Sequence, residues 1–124
     1  MKKLLLLPLL SVVIFAQTPT HSVTITWADT ANPAGTNYNA YRLVGACPST
    51  PPTSVPSGFT KINSSPIVPK TYVDATVTGG TTYCYFVTAT NSTAVPNESV
   101  PSNDVAPTVP TLFPPTLIQI TILQ

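Results

Sequence analysis

Short runs in which apolar and polar side chains alternate one by one, each closed off by Pro, Gly or Asn, recur along this chain. That pattern suits strands, whose side chains point to opposite faces in turn, and not helices, which need apolar residues every three to four positions. Fifteen prolines among 124 residues reinforce the point, and no stretch reads as a helix. In the first run Val23, Ile25 and Trp27 face one way, and Thr24 and Thr26 the other. Further runs cover residues 38–43, 59–62 and 71–74; the longest covers 82–90, and a last one covers 103–109. Turn-forming residues fill 32–35, 63–66 and 91–99, Gly79 and Gly80 mark a tight corner, and 45–58 is long and irregular. Six or seven short strands in roughly ninety residues predict an all-β, immunoglobulin-like β-sandwich. Pro107 cannot donate to a ladder, so its run belongs on a sheet edge.

Alternation also sorts the aromatic residues. Trp27, Tyr38, Tyr72, Tyr83, Tyr85 and Val87 are expected in the core. Tyr41 and Phe86 fall on the outer face of two adjacent strands. There they would form either an exposed patch for sugar rings or a partner surface, or a pair covered by the loop at 45–58.

The N-terminal segment bears on compartment. Lys2 and Lys3 precede an apolar run at 4–15, interrupted by Pro8 and followed by the small residue Ala16. This is the layout of a secretory signal peptide over residues 1–16, with an uncleaved anchor as the alternative. The run is shorter than the roughly 20 residues a bilayer-spanning helix needs. Its removal leaves Arg42, Lys61 and Lys70 against Asp29, Asp74, Glu98 and Asp104, a net charge of −1. So sparse a charge excludes the basic footprint of a nucleic-acid binder. An exported chain with two cysteines is expected to join Cys47 to Cys84, the alternative being two separate thiols.

Catalysis calls for converging acids, bases or nucleophiles, and the sequence shows no such constellation. The single histidine, His21, just precedes the first run and has no partners at zinc-ligand spacing. Asp74, beside a short strand, is expected to bond nearby backbone. No metal, cofactor or phosphate loop is expected, and the chain is read as a non-enzyme. Asn63, Asn91 and Asn97 begin Asn-x-Ser/Thr triplets and are read as chance matches.

Taken together, several segments resemble a fibronectin type III domain. Residues 22–27, ending in Trp27, resemble the family's strand B, and 38–42 resemble strand C. Residues 77–89 resemble the E–F corner and strand F, with Tyr83 where the family places its corner tyrosine. Residues 98–105, including Ser99, Pro101, Ser102 and Asn103, are similar to the approach to the last strand in bacterial members. The resemblance covers a domain at 17–109 and implies an extracellular binding, adhesion or spacer module, secreted, periplasmic or on the cell surface, whose protein or polysaccharide ligand the sequence does not name. It also implies departures. Strand A is short or missing, leaving the edge of strand B poorly covered, and the 91–99 loop has no Arg-Gly-Asp tripeptide. Cys84 lies on the outer face, so a bridge to Cys47 would pin the loop after strand C to strand F.

Residues 110–124 exceed what the domain needs. After Pro114 and Pro115, residues 116–123 are apolar, β-prone and uncharged, an aggregation hazard if exposed. They are expected to fold back as an extra strand, to self-associate with a partner's sheet edge, or to open a following module. The edge-docking option makes a structural assembly subunit the alternative to a binding module.

Overall fold

The computed structural model describes residues 20–50, 52–91 and 97–111. Within them the chain is all-β, with no helix and five strands: β1 (His21–Thr26), β2 (Asn37–Val44), β3 (Thr60–Lys61), β4 (Thr71–Val77) and β5 (Tyr83–Thr90). β1 pairs antiparallel with β4 as a two-stranded sheet, and β3, β2 and β5 form a second antiparallel sheet in that order. The β2–β5 ladder runs unbroken from Asn37 opposite Thr90 to Val44 opposite Tyr83. Ile25 and Val77 from the first sheet share one core with Tyr38, Ala40, Tyr83 and Tyr85 from the second. Two sheets closing on a common apolar layer are consistent with a β-sandwich.

Two expected strands are smaller than the alternation suggests. The run at 59–62 contributes only the two-residue β3. The run at 103–109 lies on the edge of β5 but touches it through isolated bridges, Tyr85 with Val105 and Thr82 with Thr108. Pro107 lies between those bridges; its carbonyl accepts the Tyr83 N–H at 3.1 Å, but it has no N–H to return. β4, by contrast, runs three residues past Asp74 to Val77.

Chain reversal between β4 and β5 depends on glycine. Gly80 has φ +76°, a conformation other residues enter at a cost, and a Cβ on it would lie 2.7 Å from Thr111 Cγ2. A Cβ on Gly79 would lie 2.9 Å from both the Pro110 carbonyl oxygen and His21 Cε1. Just beyond the corner, the Tyr83 hydroxyl accepts the Thr78 N–H at 3.0 Å and ties the turn to β5.

Burial refines the expected core. Tyr38, Tyr83 and Tyr85 are buried, whereas Trp27, Tyr72 and Val87 are half-buried and pack against the core from its margin. For Trp27 the reason is local: it lines an open hollow beside β1, while its ring packs edge-on against Tyr38 at 5.2 Å.

Candidate functional sites

Between the sheets, near the end where β1 begins, a charged pair crosses the sandwich. Alternation along β2 turns Arg42 inward with Tyr38 and Ala40, and Asp74 is the inward residue at the middle of β4. Arg42 Nη1 donates to Asp74 Oδ2 at 2.8 Å. Tyr85 Oη donates to the same oxygen at 2.9 Å, and Asp74 Oδ1 accepts the Thr76 N–H at 3.0 Å and the Thr76 hydroxyl at 2.7 Å. Burial pushes the Asp74 carboxyl up, but the two Thr76 donors, Arg42 and Tyr85 outweigh it and hold the carboxyl below its ordinary range. The Tyr85 hydroxyl is driven up, first by burial and then by Asp74. The Arg42 guanidinium also lies over the Tyr83 ring, 5.1 Å from its centroid. A carboxylate with four donors and a permanent cation beside it is held ionised and acts as a brace, poorly placed to take up a proton.

On the opposite side of β2 and β5 a second, smaller cluster forms. Cys47 and Cys84 are joined with their Cα atoms 5.0 Å apart, so the loop after β2 is pinned onto β5. Under that loop the Tyr41 and Phe86 rings stack at 5.1 Å, and Phe59 closes on Phe86 at 4.6 Å. Tyr41 and Phe86 are buried, at 8% and 2% exposure, so of the two arrangements that alternation allows, an exposed patch or a covered pair, the structure has the covered pair. The crosslink and Phe59 supply the physical reason. Asp104 lies near the two sulfurs, but the closed disulfide removes both as thiolate ligands for a metal.

Beside this cluster Glu98 gathers three donors from the same face. Its Oε1 accepts from Thr88 Oγ1 at 2.5 Å, Tyr41 Oη at 2.8 Å and Asn39 Nδ2 at 3.0 Å. Burial raises the Glu98 carboxyl, and the three donors with Lys61 more than offset it, leaving it below the ordinary range. Burial and Glu98 together push the Tyr41 hydroxyl up to about 12. The polar chain continues through Asn63, whose Nδ2 donates to Asn39 Oδ1 and the Ser65 carbonyl while its Oδ1 accepts the Ala40 N–H at 2.8 Å. Asn63 is buried and its amide is fully engaged, which removes it as a glycan acceptor.

The third site is the loop end of the sandwich. Asp29 Oδ1 accepts the N–H groups of Ala31 and Asn32, and its Oδ2 accepts Asn32 Nδ2 and Tyr38 Oη, the latter two at 2.8 Å. The Asn32 side chain is the largest cause holding this carboxyl well below the usual range, followed by the Asn32 N–H and Tyr38. The β1–β2 loop is thereby locked. It faces Asn97, Glu98 and Ser99 across a cleft of about 210 Å³ floored by Ala89, Thr90 and Asn91. The cleft offers amide, hydroxyl and carbonyl groups, with Pro33 as its apolar wall.

The structure therefore joins Cys47 to Cys84, gathers Tyr38, Tyr83 and Tyr85 in the core, and places Tyr41 and Phe86 beneath a loop. Two groups that matter receive no role from the sequence alone. Arg42 is legible as an inward position from its alternation with Tyr38 and Ala40; Glu98 meets Asn39 and Tyr41 across 59 and 57 positions of chain, with no local signal to announce it. No family model matches this chain, and no characterised protein matches it in sequence.

Proposed function

We propose that this chain is an exported, non-catalytic module of the fibronectin type III kind that binds a protein or polysaccharide through its loop end, or spaces such binding elements apart. The observation that carries this reading is the use to which the carboxylates are put. Asp29 fastens a loop, Asp74 braces two sheets and Glu98 collects three structural donors, while the loop-end cleft that Glu98 helps to line stays open to solvent. The family assignment is supported by the pairing of β1 with β4, by the order β3–β2–β5 with residues 105–108 beyond β5, and by the Tyr83 corner bond. The Cys47–Cys84 disulfide favours an oxidising, extracytoplasmic compartment.

A glycan array and a pull-down from cell-surface extracts test the reading, with the wild-type chain and an Asn97→Arg variant. Asn97 is exposed on the cleft rim, so the substitution obstructs the cleft without entering the core. Saturable binding that falls at least about tenfold in the variant is the expected result, a loss of about 1.4 kcal/mol. Turnover of a bound ligand that disappears in Glu98→Gln would overturn it. A second reading, a structural subunit assembling through its C-terminal strand and an open sheet edge, is favoured by the side of β1 that pairs with no strand among the described residues. A mass that climbs with protein concentration is its signature.

A further inference from the structure

Three of the chain's four acidic side chains are held by donors: Asp29, Asp74 and Glu98 each accept several hydrogen bonds. Asp104 is the exception. It is half-buried, and its one polar contact among the described residues is Cys84 Sγ, 4.0 Å from its Oδ2. That sulfur is bonded to Cys47 and has no hydrogen to give. The lysines and arginine of the described residues are committed elsewhere. Arg42 pairs with Asp74, Lys61 acts on Glu98 and Lys70 donates to the Asp29 carbonyl. Yet Asp104 is firmly placed. Its neighbour Val105 exchanges both backbone hydrogen bonds with Tyr85, at 2.9 and 3.0 Å, which sets Asp104 beside Cys84. A half-buried carboxylate without a donor is a cost to the fold, and this one is aimed at a sulfur pair.

We propose that Cys47, Cys84 and Asp104 form a three-ligand zinc site in the dithiol state of this chain, a site that the disulfide closes. The two sulfurs and a carboxylate oxygen already lie within 4.8 Å of one another. Tetrahedral zinc, with bonds of about 2.3 Å to sulfur and about 2.0–2.2 Å to oxygen, needs its sulfurs about 3.8 Å apart and its oxygen about 3.5 Å from each. Cys84 and Asp104 sit on backbone fixed by β2 and β5, so the adjustment falls to Cys47, on the irregular loop that follows β2. Opening the site takes two electrons from a dithiol reductant. Its thiolate attacks Cys47 Sγ, the half-buried sulfur, and Cys84, which is 0% exposed, leaves with the bonding pair and takes a proton from water. The reductant's second thiol then displaces Cys47 and closes the reductant's own disulfide. Zinc binding releases both thiol protons to solvent and sets a divalent cation among three anionic groups. Paired thiolates select zinc over calcium or magnesium, and three protein ligands leave the fourth position to water. The loop after β2 is thereby pinned to β5 in both states, by a covalent bond in one and by a metal in the other.

Zinc and cobalt titrations of the full chain test this, with the protein either oxidised or reduced by a phosphine that does not itself hold the metal. The reduced chain is expected to retain a single zinc through desalting, and the oxidised chain none. Cobalt in the reduced chain should show sulfur-to-metal charge transfer in the near ultraviolet and the visible bands of a tetrahedral ion. Asp104→Asn should lower the zinc affinity of the reduced chain by about tenfold or more, since it exchanges an anionic ligand for a neutral amide. Zinc should also raise the urea midpoint of the reduced chain and leave that of the oxidised chain where it is, because a ligand that favours the folded state stabilises it. Four results overturn the proposal: no zinc on the reduced chain, equal uptake by the oxidised chain, an Asp104→Asn affinity equal to that of the wild type, or bound zinc without a rise in the urea midpoint. The last would place the metal on the unfolded chain.

Discussion

Replacing Asp74 with Ala removes the acceptor that Arg42 and Tyr85 share, and the damage depends on how each donor is left. Asp74 is 3% exposed and the Tyr85 residue 1%, so the tyrosine hydroxyl loses its acceptor in a place water does not reach. An unsatisfied buried hydroxyl costs about 1–3 kcal/mol. The lost charge-assisted bond from Arg42 is worth about 1.5–3 kcal/mol at most, and it is discounted because the arginine side chain is 21% exposed and regains solvent. Thr76 is exposed and finds water at little cost. The sum is about 3 kcal/mol, a large share of the 5–15 kcal/mol typical of a domain. With a urea slope near 1 kcal/mol/M for a domain of this size, the unfolding midpoint should fall by about 2–3 M. The pH dependence supplies a second arm. The folded Asp74 carboxyl is held below its unfolded value, so its contribution is fully present above about pH 4 and is lost as pH falls through the folded value. The midpoint difference between wild type and Asp74→Asn should therefore close on acidification. A midpoint loss below about 0.5 M for Asp74→Ala, or a wild-type to Asp74→Asn gap that widens toward low pH, would refute the brace.

Reduction of the Cys47–Cys84 bridge, which closes across 37 positions, should lower stability by roughly 3–4 kcal/mol and unmask the Tyr41–Phe86 stack. Urea titration with and without reductant, read by tyrosine fluorescence, checks this, and coincident curves would contradict it. Tyr83→Phe should cost about 1 kcal/mol and speed exchange of the Thr78 amide; an unchanged Thr78 amide would show that the corner bond is dispensable. Glu98→Gln should cost about 1 kcal/mol at neutral pH, since the group is partly exposed. The folded Glu98 carboxyl is likewise held low, so that cost is present above about pH 4.3 and shrinks as pH falls through the folded value. Urea midpoints for the two proteins from pH 7 to pH 3 provide the measurement.

Alternation is a reliable guide where both faces of a strand have distinct partners. It places Tyr83 and Tyr85 on one side of β5 and Cys84 and Phe86 on the other, and that division holds in the structure. It fails to distinguish burial under a loop from exposure, because the outer face of a sheet is read as solvent until something crosses it. Phe59 and the crosslinked loop cross it here, so Tyr41 and Phe86 are buried on the side that alternation calls outer. The Glu98 hub is illegible for a related reason: its partners on β2 are brought in by a chain reversal, and short-range patterning carries no record of that distance. Arg42 is the opposite case. Its inward position is readable, but a cation at such a position makes sense only once Asp74 is seen across the layer.

The two sheets are defended very unequally. The β2–β5 sheet has aromatic core on its inner face, a disulfide-pinned cluster on its outer face, and β3 and residues 105–108 along its two flanks. Among the described residues the β1–β4 sheet has only those two strands, with a half-buried tryptophan at its margin. Local opening follows the number of neighbours a strand must leave, so β1 should be the first strand to separate, while β2 and β5 hold until the whole domain unfolds. The Arg42–Asp74 brace reads as the counterweight: it is the one ion pair among the described residues, and it ties the weaker sheet to the stronger through β4. A partner, a tail or a second copy that covers β1 would therefore add stability where the sandwich has least. The loop-end cleft borrows its rigidity from Glu98, which is bonded to Asn39, Tyr41 and Thr88 of the better-defended sheet, and from the β1–β2 loop that Asp29 fastens through Asn32.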